Sequence, residues 1–317
     1  MSESRPDPEA VLRGLEWTVL RRLDGYLQGD YRTLFRGFGL DLADLREYQA
    51  HDDVRHIDWN VTARLQIPYV RQYNEDREIT AWFLLDMSPS MDFGSEGKTK
   101  RQVLTDFTAT LARLLTRHGN RVGALIYGGD VDTVIPAATG RRHVLHIVNE
   151  LITRPELPKS PATDLSALLR AALGIIHSRS FVFLVSDFVS APGWDGPLNM
   201  LGQRHEILAV RPFDPLEVEI PPLGLFVMQD SETGEQVFVD TADRGFRKRF
   251  AQAAEQREVL VREGLNRAGV DTLEISTQDD LVDSILRFAD LRKRRFGGKF
   301  AGAPAHVGAA GTTGAAQ

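Results

Sequence analysis

Two short apolar runs, each followed by an aspartate, constrain the fold of this chain more than any other feature. The first run covers residues 81–85 and ends at Asp86, and the second covers residues 181–185 and leads to Asp187. Unbroken apolar runs of this length are typical of strands that are buried on both faces of a parallel sheet. Ligands of such sheets bind beyond the carboxyl ends of the strands, which is where both aspartates are expected.

Strand and helix patterns alternate along the rest of the chain, as a parallel sheet with crossover helices requires. The sequence therefore predicts an α/β fold with a doubly wound, mostly parallel sheet. Helices are predicted over residues 98–118, 141–151, 246–266 and 281–291, and further strands over residues 121–127, 131–135 (an antiparallel edge strand), 205–210 and 271–275.

We expect three regions in the chain. Residues 1–78 form an N-terminal region, in which an amphipathic helix over residues 8–28 precedes an extended segment. Residues 79–292 form the α/β domain, with a β-hairpin insert at 212–241 where four prolines preclude a helix. Residues 293–317 form a tail that is first basic and then rich in Gly, Ala and Thr, and its second part is expected to be disordered.

Composition argues against several classes of function. A net charge of −6 disfavours general nucleic-acid binding. The absence of cysteine excludes disulfides and thiolate metal sites, and it fits a reducing compartment. No apolar run approaches the about 20 residues of a membrane-spanning helix, and the first residues lack the apolar core of a signal peptide. We therefore expect a cytoplasmic protein.

Hard oxygen donors cluster directly after the first apolar run. Asp86, Ser88 and Ser90 lie within five residues on a predicted tight loop. Such donors suit Mg²⁺, Mn²⁺ or Ca²⁺ better than zinc. Taken alone the pattern is weak, because Asp, Ser and Pro are common in turns.

Two further loops strengthen the metal hypothesis. Thr163 and Asp164 precede a helical pattern, and Asp187 follows the second apolar run. Asp164 is also a good helix N-cap, which explains the Thr-Asp pair without a metal. Since two strands end in aspartate and the Thr-Asp pair lies between them, we expect one site built from three loops.

These residues resemble the metal-ion-dependent adhesion site of von Willebrand factor A domains. The resemblance implies a divalent ion, with Mg²⁺ as the first choice and Mn²⁺ or Ca²⁺ as alternatives, surrounded by Asp86, Ser88, Ser90 and Thr163. It also implies that Asp187 completes the shell or acts through water, and that an Asp or Glu of a partner protein fills an open coordination position. The family often has Gly-Gly before the threonine, where this chain has Pro161-Ala162.

A second and longer resemblance begins before the first apolar run. The passages GFGLDLADLREY at 37–48 and DDVRHIDWN at 52–60, followed by Thr62-Ala63-Arg64, look like the signature of domain-of-unknown-function family 58. The match extends over roughly residues 29–292, and His51 departs from it where the family often has glycine. The resemblance implies a bacterial-type protein that is encoded beside MoxR-type AAA+ ATPases and acts with them as an adaptor or assembly factor.

The charged passage at residues 52–64 allows two interpretations. It could be a partner-binding surface, or a buried polar network that holds the N-terminal region on the α/β domain. Its mixture of acidic and basic residues favours the second, because such groups pair well. Val54, Ile57 and Trp59 are expected to anchor the passage against a core.

Two segments late in the chain also leave alternatives open. The hairpin insert could be an arm for a partner, or it could cover a sheet edge. Thr277 with Asp280 resembles a capping box for the last helix. The basic run at 292–295 is interpreted as cations that complement the carboxyl end of that helix.

We predict a non-enzymatic, metal-dependent protein-binding module. One alternative is a metal-dependent hydrolase or phosphatase at Asp86, with either a metal-activated water or Asp86 itself as nucleophile. Aspartyl-phosphate enzymes usually have a second aspartate two residues later, where this chain has Ser88. The other alternative is a nucleic-acid binder that uses Arg55, Trp59, Arg64 and the basic run at 292–295.

Overall fold

The computed structural model describes residues 7–23, 44–49, 54, 57, 59–72, 79–95, 97–155, 163–229, 234–297 and 306–307. Its strands are β1 (Asp44–Glu47), β2 (Tyr69–Gln72), β3 (Thr80–Asp86), β4 (Arg121–Tyr127), β5 (Val131–Ala138), β6 (Phe181–Val185), β7 (Glu206–Phe213), β8 (Leu225–Gln229), β9 (Gln236–Asp240), β10 (Asp271–Ser276) and β11 (His306–Val307). Its α-helices are α1 (Pro8–Leu15), α2 (Trp59–Leu65), α3 (Lys100–Arg117), α4 (Arg141–Thr153), α5 (Leu165–Ile175), α6 (Asp195–Gly202), α7 (Arg244–Ala268) and α8 (Leu281–Gly297).

A seven-stranded sheet lies at the centre of the molecule, in the order β11-β10-β7-β6-β3-β4-β5. Neighbouring strands are parallel except β4 and β5, which are antiparallel. Strands β3 and β6 are neighbours, but the chain continues from β3 towards one side of the sheet and from β6 towards the other. This is the doubly wound fold that the sequence predicts. Its switch point, where ligands bind in such sheets, is the crevice beyond β3 and β6.

Helices cover both faces of the sheet because its central strands are apolar on both sides. Phe83, Leu85 and Phe183 pack with α1, α3, α4 and α8 on one face. Trp82 and Leu84 pack with α5, α6 and α7 on the other face. Both faces are therefore dry, which explains why the strand sequences show apolar runs rather than alternation.

The N-terminal helix belongs to this core. Helix α1 continues as a π-helical turn over Glu16–Leu20, and helical structure extends to Leu23, while residues 24–28 of the predicted helix lie outside the described residues. Leu12 and Leu23 are fully buried in the same cluster as α3 and α4. Glu16 accepts a hydrogen bond from Arg113 at 2.5 Å and ties the helix to α3.

The expectation of apolar anchors in the charged passage is wrong for two of three residues. Val54 is 60% exposed and Trp59, the first residue of α2, is 69% exposed. Only Ile57 is half-buried. Most of the passage's charged residues lie outside the described residues, so its two interpretations both remain. Val54 and Trp59 therefore do not anchor the passage against a core of the described structure.

The carboxyl-terminal part of the chain differs from prediction at three points. Helix α8 continues through the basic run to Gly297, because Arg and Lys are good helix formers. His306–Val307, in the tail that was expected to be disordered, pairs as a parallel strand with β10, and it covers backbone groups of an edge strand. Asp280, rather than Thr277, caps α8: its Oδ1 accepts from the backbone N–H of Val282 at 2.8 Å.

The hairpin insert forms a two-stranded antiparallel sheet from β8 and β9. Within the described residues, these strands pair only with each other. Covering an edge of the central sheet, one of the two alternatives, is therefore not what the described hairpin does. In the described part of the chain, no helix is long and apolar enough to cross a membrane.

Candidate metal-binding and partner-binding site

Asp86 ends the central strand β3 and is completely buried. Its Oδ1 accepts from the backbone N–H of Ser88 at 3.0 Å, and its Oδ2 accepts from the hydroxyl of Ser186 at 2.6 Å. The hydroxyls of Ser88 and Ser90 are 3.2 Å apart across a 3₁₀ turn at Pro89–Asp92. The three side chains of this loop that are predicted to be metal ligands therefore lie together in a buried position at the edge of the sheet.

Asp187 follows the neighbouring strand β6 and is also buried. It accepts hydrogen bonds from the backbone N–H of Val189 at 3.0 Å and from the Ser90 hydroxyl, so the loops after β3 and β6 are joined. The next residue, Phe188, has a φ of 61°, a left-handed conformation that is uncommon outside glycine. Strain of this kind persists only where the surroundings enforce it.

Lys100 is a residue of this site that sequence reasoning missed. Its ammonium nitrogen lies 2.6 Å from Asp187 Oδ2 and 2.6 Å from Glu217 Oε1, and its side chain is fully buried. Lys100 is the first residue of α3, where a cation is unfavourable for the helix dipole. The unfavourable position of this cation at a helix start is the signal in the sequence that could have identified Lys100.

The two aspartates have opposite electrostatic environments. Burial and the nearby charge of Asp187 raise the pKa of Asp86 to about 6, against the lowering effect of its hydroxyl and backbone donors. Burial also acts to raise the pKa of Asp187, but the charge and hydrogen bond of Lys100 outweigh it, so that pKa is lowered. Asp187 is therefore a stable carboxylate, whereas Asp86 forms no ion pair with a residue that the structure describes.

Thr163 lies in the loop before α5 and is buried. Its carbonyl accepts from the backbone N–H of Ala191 at 2.8 Å and from the Ser190 hydroxyl at 2.9 Å, which joins this loop to the one after β6. Asp164 caps α5 through the N–H of Ser166, as an N-cap should. The preceding pair, Pro161-Ala162, lies outside the described residues.

Asp214, at the end of β7, organises the same edge of the sheet and was also missed. It is fully buried, and its Oδ2 accepts from the Ser95 N–H at 2.9 Å, the Ser95 hydroxyl at 2.9 Å and the Thr277 hydroxyl at 2.7 Å. The Thr277 hydroxyl thus donates a hydrogen bond to the Asp214 carboxylate instead of capping α8. Against the raising effect of burial, these bonds lower the pKa of Asp214.

The donor set fits a hard cation with a mixed shell. Two carboxylates and three hydroxyl residues are buried on the loops after β3, before α5 and after β6. The described residues contain no cluster of three or more His, Cys, Asp or Glu that could hold a metal alone. A site with so few carboxylates suits Mg²⁺, which tolerates waters and hydroxyls, and leaves room for a carboxylate from elsewhere.

Three comparisons place the chain among known proteins. A sequence profile of the family described as "Protein of unknown function DUF58" matches residues 44–259. The uncharacterized protein Rv1480 of Mycobacterium tuberculosis is 38% identical over 289 residues, which cover 91% of each chain. The uncharacterized protein MAV169 of Mycobacterium avium is 33% identical over 163 residues, which cover 51% of this chain and 95% of that one.

Solved structures with similarity to the chain include von Willebrand factor A domains. The chain is similar to BatB of Bacteroides thetaiotaomicron, with a TM-score of 0.42, 14% identity and coverage of 67% of this chain and 99% of that one. It is similar to the SpRpn10 VWA domain, with a TM-score of 0.37, 12% identity and coverage of 66% and 94%. At these values no function is transferred. The sequence profile and the relative that matches along nearly the whole length show that the chain belongs to the DUF58 family.

Proposed function

We propose that this protein is a non-enzymatic protein-binding module whose binding edge is the crevice beyond β3 and β6. In this proposal a divalent ion, Mg²⁺ first and Mn²⁺ or Ca²⁺ as alternatives, is held by Asp86, Ser88, Ser90 and Thr163. Asp187 acts through water, and an Asp or Glu of the partner protein fills the remaining position. Such an ion is the largest local charge in its site and attracts an acidic group.

The electrostatic state of Asp86 is the observation that carries the proposal. Asp86 is buried beside a second carboxylate, and its raised pKa means that its ionised form is unfavourable in the absence of a cation. A divalent ion would remove this cost, because it stabilises the ionised carboxylate. A cation site at the switch point of the sheet requires a buried carboxylate with hydroxyl groups around it. Asp86 meets this requirement.

Lys100 supports the assignment of Asp187 to an indirect role. One oxygen of Asp187 contacts the Lys100 ammonium and the other accepts from the Val189 N–H. This carboxylate therefore already has a cation and a donor, whereas Asp86 accepts from hydrogen-bond donors but pairs with no cation in the described part of the chain. An ion that sits next to Asp86 would feel the charge of Asp187 without displacing Lys100.

Burial also favours binding over hydrolysis. A nucleophilic Asp86 would need an oxygen that a phosphate could approach, but both oxygens accept hydrogen bonds and the side chain has no exposed surface. The form of the hydrolase alternative in which Asp86 is the nucleophile therefore receives no support from the geometry. A phosphatase assay of the metal-loaded protein is expected to show no turnover.

The partner that we propose is a MoxR-type AAA+ ATPase, with this protein as its adaptor or assembly factor. This part of the proposal comes from the family resemblance, since the relatives at 38% identity are themselves uncharacterized. The site chemistry adds one requirement, which is that the partner offers an acidic side chain to the crevice.

Calorimetric titration of the metal-stripped full chain with Mg²⁺, Mn²⁺ and Ca²⁺ tests the metal part of the proposal. We expect binding by the native protein and by Asp130→Ala, and its loss in Asp86→Ala. Asp130 is an exposed aspartate in the turn after β4, at the same edge of the sheet, so it is a matched control. In thermal melts, an ion at about 100 times its dissociation constant should add roughly 2.7 kcal/mol to the native protein.

Pull-down of the ATPase with and without chelator tests the partner part. We expect capture by the native protein with Mg²⁺ and loss of capture with chelator or with Asp86→Ala. Equal metal binding by the native protein and Asp86→Ala would refute the site, and capture that ignores both chelator and substitution would refute metal dependence.

A further inference from the structure

The hairpin of β8 and β9 exposes apolar side chains on both of its faces. The strand register puts Leu225, Val227 and Phe238 on one face, and Phe226 and Val237 on the other. Leu225 is 82% exposed and Phe238 is 80% exposed. A two-stranded hairpin is marginally stable in water by itself, and clustered exposed apolar residues mark interaction sites. We therefore expect another surface to cover it.

The segment that contains the hairpin is also strongly acidic. Residues 214–243, here named the arm, contain eight Asp or Glu residues and no Lys or Arg. This charge repels nucleic acids and anionic membranes. The surface that fits the arm is a protein surface that combines apolar contact with positive charge.

The same chain carries such a surface directly after the arm. Residues 244–254, the first three turns of α7, include four cationic residues and no acidic residue. Lys248 and Arg249 are exposed, and Lys248 forms no ion pair among the described residues. Phe246 and Phe250 add aromatic surface to the same turns. Arm and helix start are thus opposite in charge and both partly apolar.

A cavity of about 520 Å³ lies between α7 and the base of the arm. Its apolar lining comes from Pro212, Phe213, Val218, Ile220, Ala251 and Ala254. This volume can hold large side chains such as those exposed on the hairpin.

The charges that line this cavity are balanced. Asp187 and Glu217 share Lys100, and Glu258 and Glu274 share Arg211. The lining also contains two further acids and four further cations, which are Glu219, Glu255, Arg247, Lys248, Arg257 and Arg262. The positive charge that attracts an acidic segment is therefore that of the exposed Lys248 and Arg249 at the start of α7, beside the cavity.

We propose that the arm of one molecule docks on the first turns of α7 in a second copy of this chain, with Leu225 and Phe238 entering that copy's cavity. Each copy carries both the acidic arm and the basic helix start, so the contact is reciprocal and a two-fold axis closes it as a dimer. Direct pairing of two arms is disfavoured, because it would oppose two strongly negative segments.

Sedimentation velocity of the full chain over a wide concentration range tests this dimer. The measurement is made with chelator present, so that the proposed metal site makes no contribution, and with Asp86→Ala as a second check. We expect a reversible monomer–dimer equilibrium in both proteins. Raising the salt concentration should weaken the dimer, because exposed charges are screened.

Charge exchange provides the sharpest test. Variant A carries Lys248→Glu and Arg249→Glu, and variant B carries Glu219→Lys and Glu235→Lys. Each variant alone should dimerise at least about tenfold more weakly than the native chain, because variant A reduces the charge of the helix start from four positive to zero and variant B reduces that of the arm from eight negative to four. A mixture of A and B should dimerise more strongly than A alone, since one of its two contacts then joins a native arm to a native helix start.

Two single substitutions complete the design. Glu263→Lys, an exposed charge reversal further along α7, should leave the dimer unchanged. Phe238→Ser should weaken the dimer without changing charge. A chain that remains monomeric at every concentration overturns the proposal. A dimer that A and B both leave intact also overturns it, as does a mixture of folded A and B that stays monomeric.

Discussion

Asp86 and Asp187 are neighbouring buried carboxylates whose properties differ because one of them has a lysine. The Lys100 ammonium holds the pKa of Asp187 low, and the resulting negative charge helps to raise the pKa of Asp86 to about 6. Lys100 therefore acts on the proposed cation site indirectly, by keeping one carboxylate ionised. Lys100 also pairs with Glu217, so one cation serves two carboxylates beside the buried Asp86.

Asp86→Asn should stabilise the metal-free protein above pH 6. The folded-state pKa of Asp86 is raised, so the folded state retains a proton that the unfolded state loses between about pH 4 and pH 6. Native stability should fall across this window as pH rises, and the variant should escape that loss. We expect a gain on the order of 1 to 3 kcal/mol at pH 8, measured by urea unfolding with chelator.

The comparison at pH 4 is the internal control for this prediction, because both proteins then carry a neutral side chain. Mg²⁺ should stabilise the native protein and leave Asp86→Asn unchanged. If the variant is less stable than the native protein at pH 8 in chelator, the ionised Asp86 carboxylate does not destabilise the folded protein.

At the scale of elements, side chains join the carboxyl ends of the strands in addition to the backbone hydrogen bonds between them. Asp214 connects the end of β7 to Ser95 in the loop after β3 and to Thr277 after β10. Ser186 in the loop after β6 reaches Asp86. These bonds hold the loops in the positions that bring together the residues of the proposed metal site.

Asp214→Ala should destabilise the protein by about 2 to 4 kcal/mol, because it leaves a buried donor on Thr277 and half-buried donors on Ser95 and Leu216 unpaired. The lowered pKa of Asp214 means that its contribution is present above pH 4 and is lost as pH falls through the folded-state value. The variant's deficit should therefore shrink in acid. Urea unfolding at neutral and acidic pH measures both effects.

Asp240→Ala is the matched control, since the Asp240 side chain is exposed and, among the described residues, accepts a hydrogen bond from the backbone N–H of Ala242 alone. A cost for Asp214→Ala as small as that of this control would mean that the loops are held by packing alone.

At the scale of the whole molecule, the N-terminal helix is part of the α/β domain's core. Leu12 is fully buried against α3 and α4, whereas the ion pairs of Arg22 with Asp280 and Asp283 are largely exposed. Packing should therefore dominate the attachment of this helix, because exposed ion pairs contribute little. The boundary at residues 78 and 79 remains a prediction about the sequence, but helix α1 does not pack as a separate unit.

Leu12→Ala should cost about 2 to 5 kcal/mol of unfolding free energy, as is usual for a truncated core leucine. Arg22→Ala should cost less than about 1 kcal/mol. Both values come from urea unfolding monitored by tryptophan fluorescence. Equal effects of the two substitutions would indicate that the ion pairs, and not the buried leucine, hold the helix.

Much of the fold could be predicted because its signals are local. The runs at 81–85 and 181–185 are apolar without alternation, and this pattern can arise only where both faces of a strand are buried. Asp164 caps α5 as expected, since capping involves residues close in sequence. Trp59 was misjudged because apolar character does not reveal whether a core lies within reach.

The amino-acid sequence alone determines the order of strands and helices, the doubly wound sheet and the position of Asp86 and Asp187 at its carboxyl edge. These follow from periodicity and chain connectivity, which the sequence contains. Only the tertiary structure decides which charges meet. Lys100 lies 87 residues from Asp187 and 117 from Glu217, and Thr277 lies 63 residues from Asp214. Such pairs depend on how elements pack in three dimensions, and no local pattern encodes them.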